Sequence, residues 1–114
     1  MTEQFQRPWG FYEIIEEKDD RKVKKLTVYP GKRLSLQSHN HRCEHWIQFS
    51  GKGQAEIDDQ ILEIGENTHI FVNFQQKHRL INNSDSNLEI IEIQKGTYFG
   101  EDDIIRYQDD FGRV

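Results

Sequence analysis

Gly31–Gly51 reads GKRLSLQSHNHRCEHWIQFSG. Three of the five histidines in the chain, His39, His41 and His45, lie in this stretch, with Gln37 and Glu44 beside them. Imidazole, carboxylate and amide oxygen are all credible ligands for a borderline divalent cation. Residues i and i+2 of a strand point the same way, so Gln37 and His39 would present two donors side by side, with His41 next in that register. An apolar strand and a glycine close the segment. This dense run of donors leading into a strand points to a metal centre on a β scaffold.

The flanking sequence supports that scaffold. Short runs rich in Ile, Val, Phe and Tyr recur at Gly10–Glu16, Val23–Tyr29, Leu34–His39, His45–Ser50, Gln54–Ile57, Ile61–Ile64, Thr68–Val72, His78–Asn82 and Leu88–Gln94. Turn-forming clusters separate them, among them Pro30-Gly31-Lys32, Ser50-Gly51-Lys52-Gly53 and Asn82–Asn87. In Leu88–Ile93 (LEIIEI) neither alternating face is wholly polar, as expected of a strand covered on both sides. No segment keeps a helical period, and only Glu101–Arg106 suggests a helical turn. Many short strands at close spacing predict an all-β sandwich or barrel.

The 114 residues suit a single domain spanning residues 1–114. The net charge of −5 disfavours a nucleic-acid partner, which would need a basic stripe against phosphates. A negative total still permits local Arg and Lys to receive a small anion. The lone cysteine, Cys43, excludes an intrachain disulfide and is compatible with a reducing compartment. No apolar run approaches the ~20 residues of a membrane span, and MTEQFQRPWG has no signal-peptide core, so the cytoplasm is the expected location and no membrane association is expected.

The segment resembles the first motif of the cupin superfamily: G, five residues, H-x-H, three or four residues, E, six residues, G. With His39-Asn40-His41 as the H-x-H, the spacings to Gly31 and Glu44 are both wrong. With Gln37-Ser38-His39 there, five residues follow Gly31, four precede Glu44 and six separate Glu44 from Gly51. This register implies Gln37, His39 and Glu44 as ligands. The odd separation of His39 and Glu44 then requires a loop or bulge within Asn40–Cys43. His78 and Asn82 fit the H-x3-N of the second cupin motif and imply His78 as the fourth ligand. Asn73 and Gln75 stand where that motif has Pro and Gly, so a different turn is expected before His78. The resemblance implies a cupin fold, a double-stranded β-helix or jelly-roll barrel.

RPWGFYEII, KVKKLTVYPGKRLSLQSHNHRCEHW, KHRLIN and LEIIEIQKGTYFGEDDIIRYQDDFGR are similar to the C-terminal domain of bifunctional type II phosphomannose isomerases, which are also mannose-1-phosphate guanylyltransferases. LSLQSH also resembles the LS-x-Q-x-H segment of type I enzymes, where Gln and His bind zinc together with a Glu and a later His. The resemblance implies one divalent ion, zinc first with manganese, cobalt or nickel as alternatives, held by Gln37, His39, Glu44 and His78. It implies interconversion of mannose 6-phosphate and fructose 6-phosphate; guanylyl transfer is not expected, because the nucleotide loop is absent from this sequence.

The chemistry needs a base for the C1/C2 proton. His41, close in sequence but outside the ligand set, is the first candidate; Glu44 remains open if it does not ligate, and simple alternation turns His45 outward. The phosphate needs cations. Arg106, with a catalytic role, and Arg33 and Arg113, in substrate binding, are the candidates. His69 reads as packed rather than ligating, the aromatics Phe49 and Phe71 as core or dimer contacts, and Asp102-Asp103 as solvated or turn positions. The alternatives are a non-catalytic metal- or sugar-binding cupin and a different metal-dependent enzyme. A homodimer is expected, with the extended segment Phe5–Glu16 available to a partner.

Overall fold

The computed structural model describes residues 3–113. The chain forms β1 (Phe5–Arg7), β2 (Gly10–Lys18), β3 (Arg21–Val28), β4 (Leu36–Ser38), β5 (Arg42–Ser50), β6 (Gly53–Ile57), β7 (Gln60–Ile64), β8 (His69–Val72), β9 (His78–Ile81), β10 (Leu88–Gly96), a 3-10 turn at Glu101–Asp103, and β11 (Ile105–Gln108). They make a six-stranded sheet ordered β1-β2-β3-β10-β5-β8 and a five-stranded sheet ordered β11-β4-β9-β6-β7. From β3 onward the chain passes back and forth between the sheets, apart from the β6–β7 hairpin within one of them, and the two sheets face each other as a double-stranded β-helix.

Alternation sets what lies between the sheets. In β10, Leu88, Ile90, Glu92 and Gln94 are buried in turn, and in β6 Gly53, Ala55 and Ile57 are. The ladder aligns Leu26 with Ile90 and Ala55 with Leu80, so inward residues stack across strands. One end of the interior is apolar, built from Trp9, Leu26, Val28, Trp46, Ile64, Ile70, Val72, Leu80 and Leu88. At the other end the inward positions become Lys24, Glu92, Gln94 and Glu44, the last two being ladder partners. The barrel is therefore a dry core at one end and a polar cavity at the other.

Both motif glycines occupy the left-handed region, Gly31 at φ 75° and Gly51 at φ 83°. A Cβ at Gly51 would also meet the Asn87 carbonyl oxygen at 2.2 Å, so that turn requires glycine. Asn82 is buried and structural: its amide donates to the carbonyls of Val28 and Ser86, and its oxygen accepts from Ser84.

Each run read as a strand lies on a strand, with shifted ends, and two further strands appear. Phe5–Arg7 folds back on β2 of the same chain, stacking Phe5 on Tyr12 at 5.0 Å. After the short 3-10 turn, residues 105–108 continue as β11 alongside β4 rather than as helix. Phe49 and Phe71 lie outside the core of the chain, exposed, because they take outward registers of β5 and β8. No helix among the described residues is long and apolar enough to cross a membrane.

Candidate metal centre and its cavity

β4 ends at Ser38 and β5 begins at Arg42, so the chain turns through His39, Asn40 and His41. That break reverses the register, and His39 and Glu44 both face inward. Gln37 pairs with His78 across β4 and β9, which puts these two side chains on the same inner face. The three buried groups converge: His39 Nε2 is 3.2 Å from Glu44 Oε2, and His78 Nε2 is 3.6 Å from Glu44 Oε1. Donor atoms of His39, Glu44 and His78 lie within 4.8 Å of one another. The Gln37 amide nitrogen donates to Ser35 Oγ at 3.0 Å, leaving its oxygen as the free donor atom.

Both imidazoles are oriented as ligands are. His39 Nδ1 lies 3.1 Å from the Asp103 carbonyl and His78 Nδ1 lies 2.9 Å from that of Gln76. A carbonyl only accepts, so each Nδ1 carries the proton and each Nε2 offers a lone pair to the centre. Arg42 Nη2 also approaches His39 Nδ1, at 3.3 Å, but a guanidinium only donates. The shorter carbonyl contact sets the tautomer.

The electrostatics favour a cation here. Glu44 and Glu92 are both buried at this polar end, and the Trp46 indole N–H lies 3.1 Å from one and 3.0 Å from the other. Burial alone would raise both carboxyls. Glu44, between His78 and His39, is held well below the usual range. Glu92 is pushed up by burial and by the charge of Glu44. Burial also pushes the His78 imidazole down. A buried carboxylate facing the Nε2 atoms of two imidazoles, with an amide oxygen adjacent, is a donor set that fits a divalent ion.

Around this centre the cavity, about 640 Å³ counting its open mouth, is lined by Arg7, Tyr12, Lys24, Arg42, Arg106 and Arg113 among others. Arg106 pairs with Gln37 across β11 and β4, and its Nε is buried without a partner among the described residues. Arg113 also lines the cavity, tied to Asp109 through Nε at 2.7 Å.

Two expectations fail on placement. His41 lies outside the cavity, exposed, with its ring edge-on to Tyr98 at 6.3 Å between centroids. The tight turn that brings His39 inward sends His41 outward. Arg33 also lies outside, bonded twice to Asp110 at 2.7 and 2.8 Å. Residues 33–35 are not regular strand, so the alternation of β4 does not extend back to Arg33. Asp103, read as a solvated or turn position, lies in the 3-10 turn but is buried: its carboxylate accepts the N–H groups of Asn40 at 3.1 Å and His41 at 3.0 Å. Arg7, Tyr12, Lys24 and Glu92 were not foreseen. Glu92 had a signal, as the polar residue in register with Leu88 and Ile90. The others come from strands with no donor motif.

The turn before His78 differs from the cupin pattern as expected. Gln75 takes φ 65°, the left-handed angle a glycine would supply, and donates its N–H to the His39 carbonyl at 2.8 Å.

A double-stranded β-helix with a buried His-Glu-His cluster at its polar end defines a cupin able to hold a metal ion. The solved structures bear out the fold. A capsular polysaccharide assembling protein, CapF, of Staphylococcus aureus superposes with a TM-score of 0.80 at 18% identity, over 95% of this chain and 33% of that one. A cupin-2 domain of Rhodospirillum rubrum gives 0.69 at 13% identity, over 82% and 67%. The chain belongs to the mannose-6-phosphate isomerase C-terminal family, whose model matches residues 1–109. Among curated relatives, the alginate biosynthesis protein AlgA of Pseudomonas aeruginosa is 48% identical over 95% of this chain and 22% of its own length. The xanthan biosynthesis protein XanB of Xanthomonas campestris is 46% identical over 95% and 23%. The mannose-1-phosphate guanylyltransferase of Escherichia coli is 43% identical over 95% and 23%. The chain thus spans less than a quarter of the length of these relatives.

Proposed function

We propose that this chain is a metal-dependent sugar-phosphate isomerase that interconverts mannose 6-phosphate and fructose 6-phosphate. The observation that carries the reading is the juxtaposition of the buried donor cluster with Arg106, whose unpartnered guanidinium nitrogen lies on the strand paired to Gln37. Gln37, His39, Glu44 and His78 would hold the ion, zinc first, which when bound supplies positive charge to stabilise developing oxyanion character on the sugar.

The residues of the chain do the rest. Arg106, with Arg113 lining the same cavity, receives the phosphate and orients the sugar with C1 and C2 toward the interior. Aldose-to-ketose conversion moves a proton from C2 to C1 and another from O2 to O1, with no net redox. With His41 outside, Lys24 and Glu92 are the proton-carrying groups beside the donor cluster. They are ladder partners on β3 and β10. Burial pushes the Lys24 ammonium down, opposed by the charge of Glu92.

The test is direct. Purified protein is supplied with zinc, manganese, cobalt or nickel and mannose 6-phosphate, and fructose 6-phosphate is measured. Turnover is expected, falling at least 100-fold in Arg106→Ala. Absence of turnover with every metal overturns the reading, and tight metal binding without turnover then identifies a non-catalytic binding cupin.

A further inference from the structure

The outer face of the six-stranded sheet carries a second pair of histidines. His45, in β5, is half-buried; His69, in β8, is exposed. The ladder aligns His45 with Phe71 and His69 with Ile47, which makes the two imidazoles diagonal neighbours on adjacent strands. Their rings stack, with centroids 5.4 Å apart at 25°, and the Phe71 ring packs on His45 at 4.9 Å. His45 Nδ1 lies 3.2 Å from His69 Nε2, and each ring is the described polar partner of the other.

That spacing is the bite of a chelate. Two nitrogens 3.2 Å apart, each bonded at roughly 2.0–2.1 Å to zinc, subtend an angle of about 100° at the ion, close to tetrahedral. Each ring can hold its proton on the remote nitrogen, leaving the two facing nitrogens as donors. Both residues sit on paired strands, and the exposed His69 ring can turn its lone pair toward an ion held by His45 Nδ1. We propose that His45 and His69 form a second, surface site for a borderline divalent cation such as nickel, copper or zinc, completed by water or a small anion. It is separate from the interior cluster, because His45 points out of the sheet where its neighbour Glu44 points in. The proposal does not depend on the isomerase reading.

Untagged protein titrated with nickel by calorimetry is the test. We expect one more equivalent in wild type than in His69→Gln, the wild type and the variant having the same thermal midpoint without metal. A His39→Ala/His78→Ala variant should keep that equivalent. Substoichiometric copper should broaden the backbone amide NMR signals of Ile47 and Phe71 in the His39→Ala/His78→Ala variant and not when His69→Gln is added to it. Equal nickel stoichiometry in wild type and His69→Gln, or the same broadening with and without His69→Gln in that variant, overturns the proposal.

Discussion

At the scale of single residues, the interior cluster is made by tautomers as much as by positions. Carbonyls hold the Nδ1 protons of His39 and His78, so either ring replaced by alanine removes a donor that the fold has already aimed. His39→Ala and His78→Ala should each lose most bound metal, read by metal analysis after dialysis, and full retention by either refutes the ligand assignment. Glu92 makes a different statement. Its carboxyl is raised in the fold by burial first and the charge of Glu44 second, so the native state holds a proton that the unfolded chain releases at ordinary carboxylate pH. Stability from this group is complete below that range and is lost as pH rises through the elevated value. Metal-free Glu92→Gln should flatten this alkaline loss, measured by denaturant midpoints from pH 5 to 9, whereas an unchanged slope would remove Glu92 from the account. The spacing of Gln37, His39, Glu44 and His78 was legible because both motifs are local. Lys24 and Glu92 reach the cavity through strand pairing, which a linear pattern does not display. His41 misled because nearness in sequence says nothing about direction at a turn.

At the scale of elements, the strands were legible wherever alternation or β-branched runs lasted several residues, as in β3, β5 and β10. Three-residue β1 and the IRYQ of β11 carry no such period, and both are strands through their neighbours, β2 and β4. The turn Asn73–Lys77 shows the reverse case. Its departure from the family pattern was visible in the residues, and its shape follows from what it must connect. Gln75 holds a left-handed angle that costs a side-chain-bearing residue about 1–2 kcal/mol. Glycine removes that cost but has more unfolded-state entropy to lose. Gln75→Gly should therefore stabilise the protein by roughly 0.5–1 kcal/mol. Urea unfolding checks this, and a fall in the midpoint would show that the Gln75 side chain contributes something the backbone does not.

At the scale of the whole molecule, the candidate ligands span the barrel: Glu44 belongs to the six-stranded sheet, Gln37 and His78 to the five-stranded one, and His39 to the connection between them. An ion bound there would pin the two sheets together and bind only the native state. At 100 times its dissociation constant it should add about 2.7 kcal/mol, an increase in thermal midpoint on the order of 10 °C for a domain of this size. Scanning calorimetry with zinc against a chelator tests this, and the increase should vanish in His78→Ala. An unchanged wild-type midpoint would show that the cluster does not hold the ion. The molecule also separates its charge. A chain of net charge −5 gathers Arg7, Lys24, Arg42, Arg106 and Arg113 around one cavity, which suits an anionic ligand better than the total suggests.

The latch made by Asp103 bears on timing. Its backbone oxygen and its carboxylate hold His39, Asn40 and His41 across 62 to 64 residues of intervening chain. Contacts so distant in sequence close only after most of the chain has collapsed, because loop entropy must be overcome first. During synthesis the donors nearer the N-terminus emerge long before the residue that fixes their turn. The nascent protein therefore passes through a stage with Gln37, His39 and Glu44 present and the latch not yet made. Acquisition of an ion there would become one of the last events of maturation, timed by the turn at Glu101–Asp103.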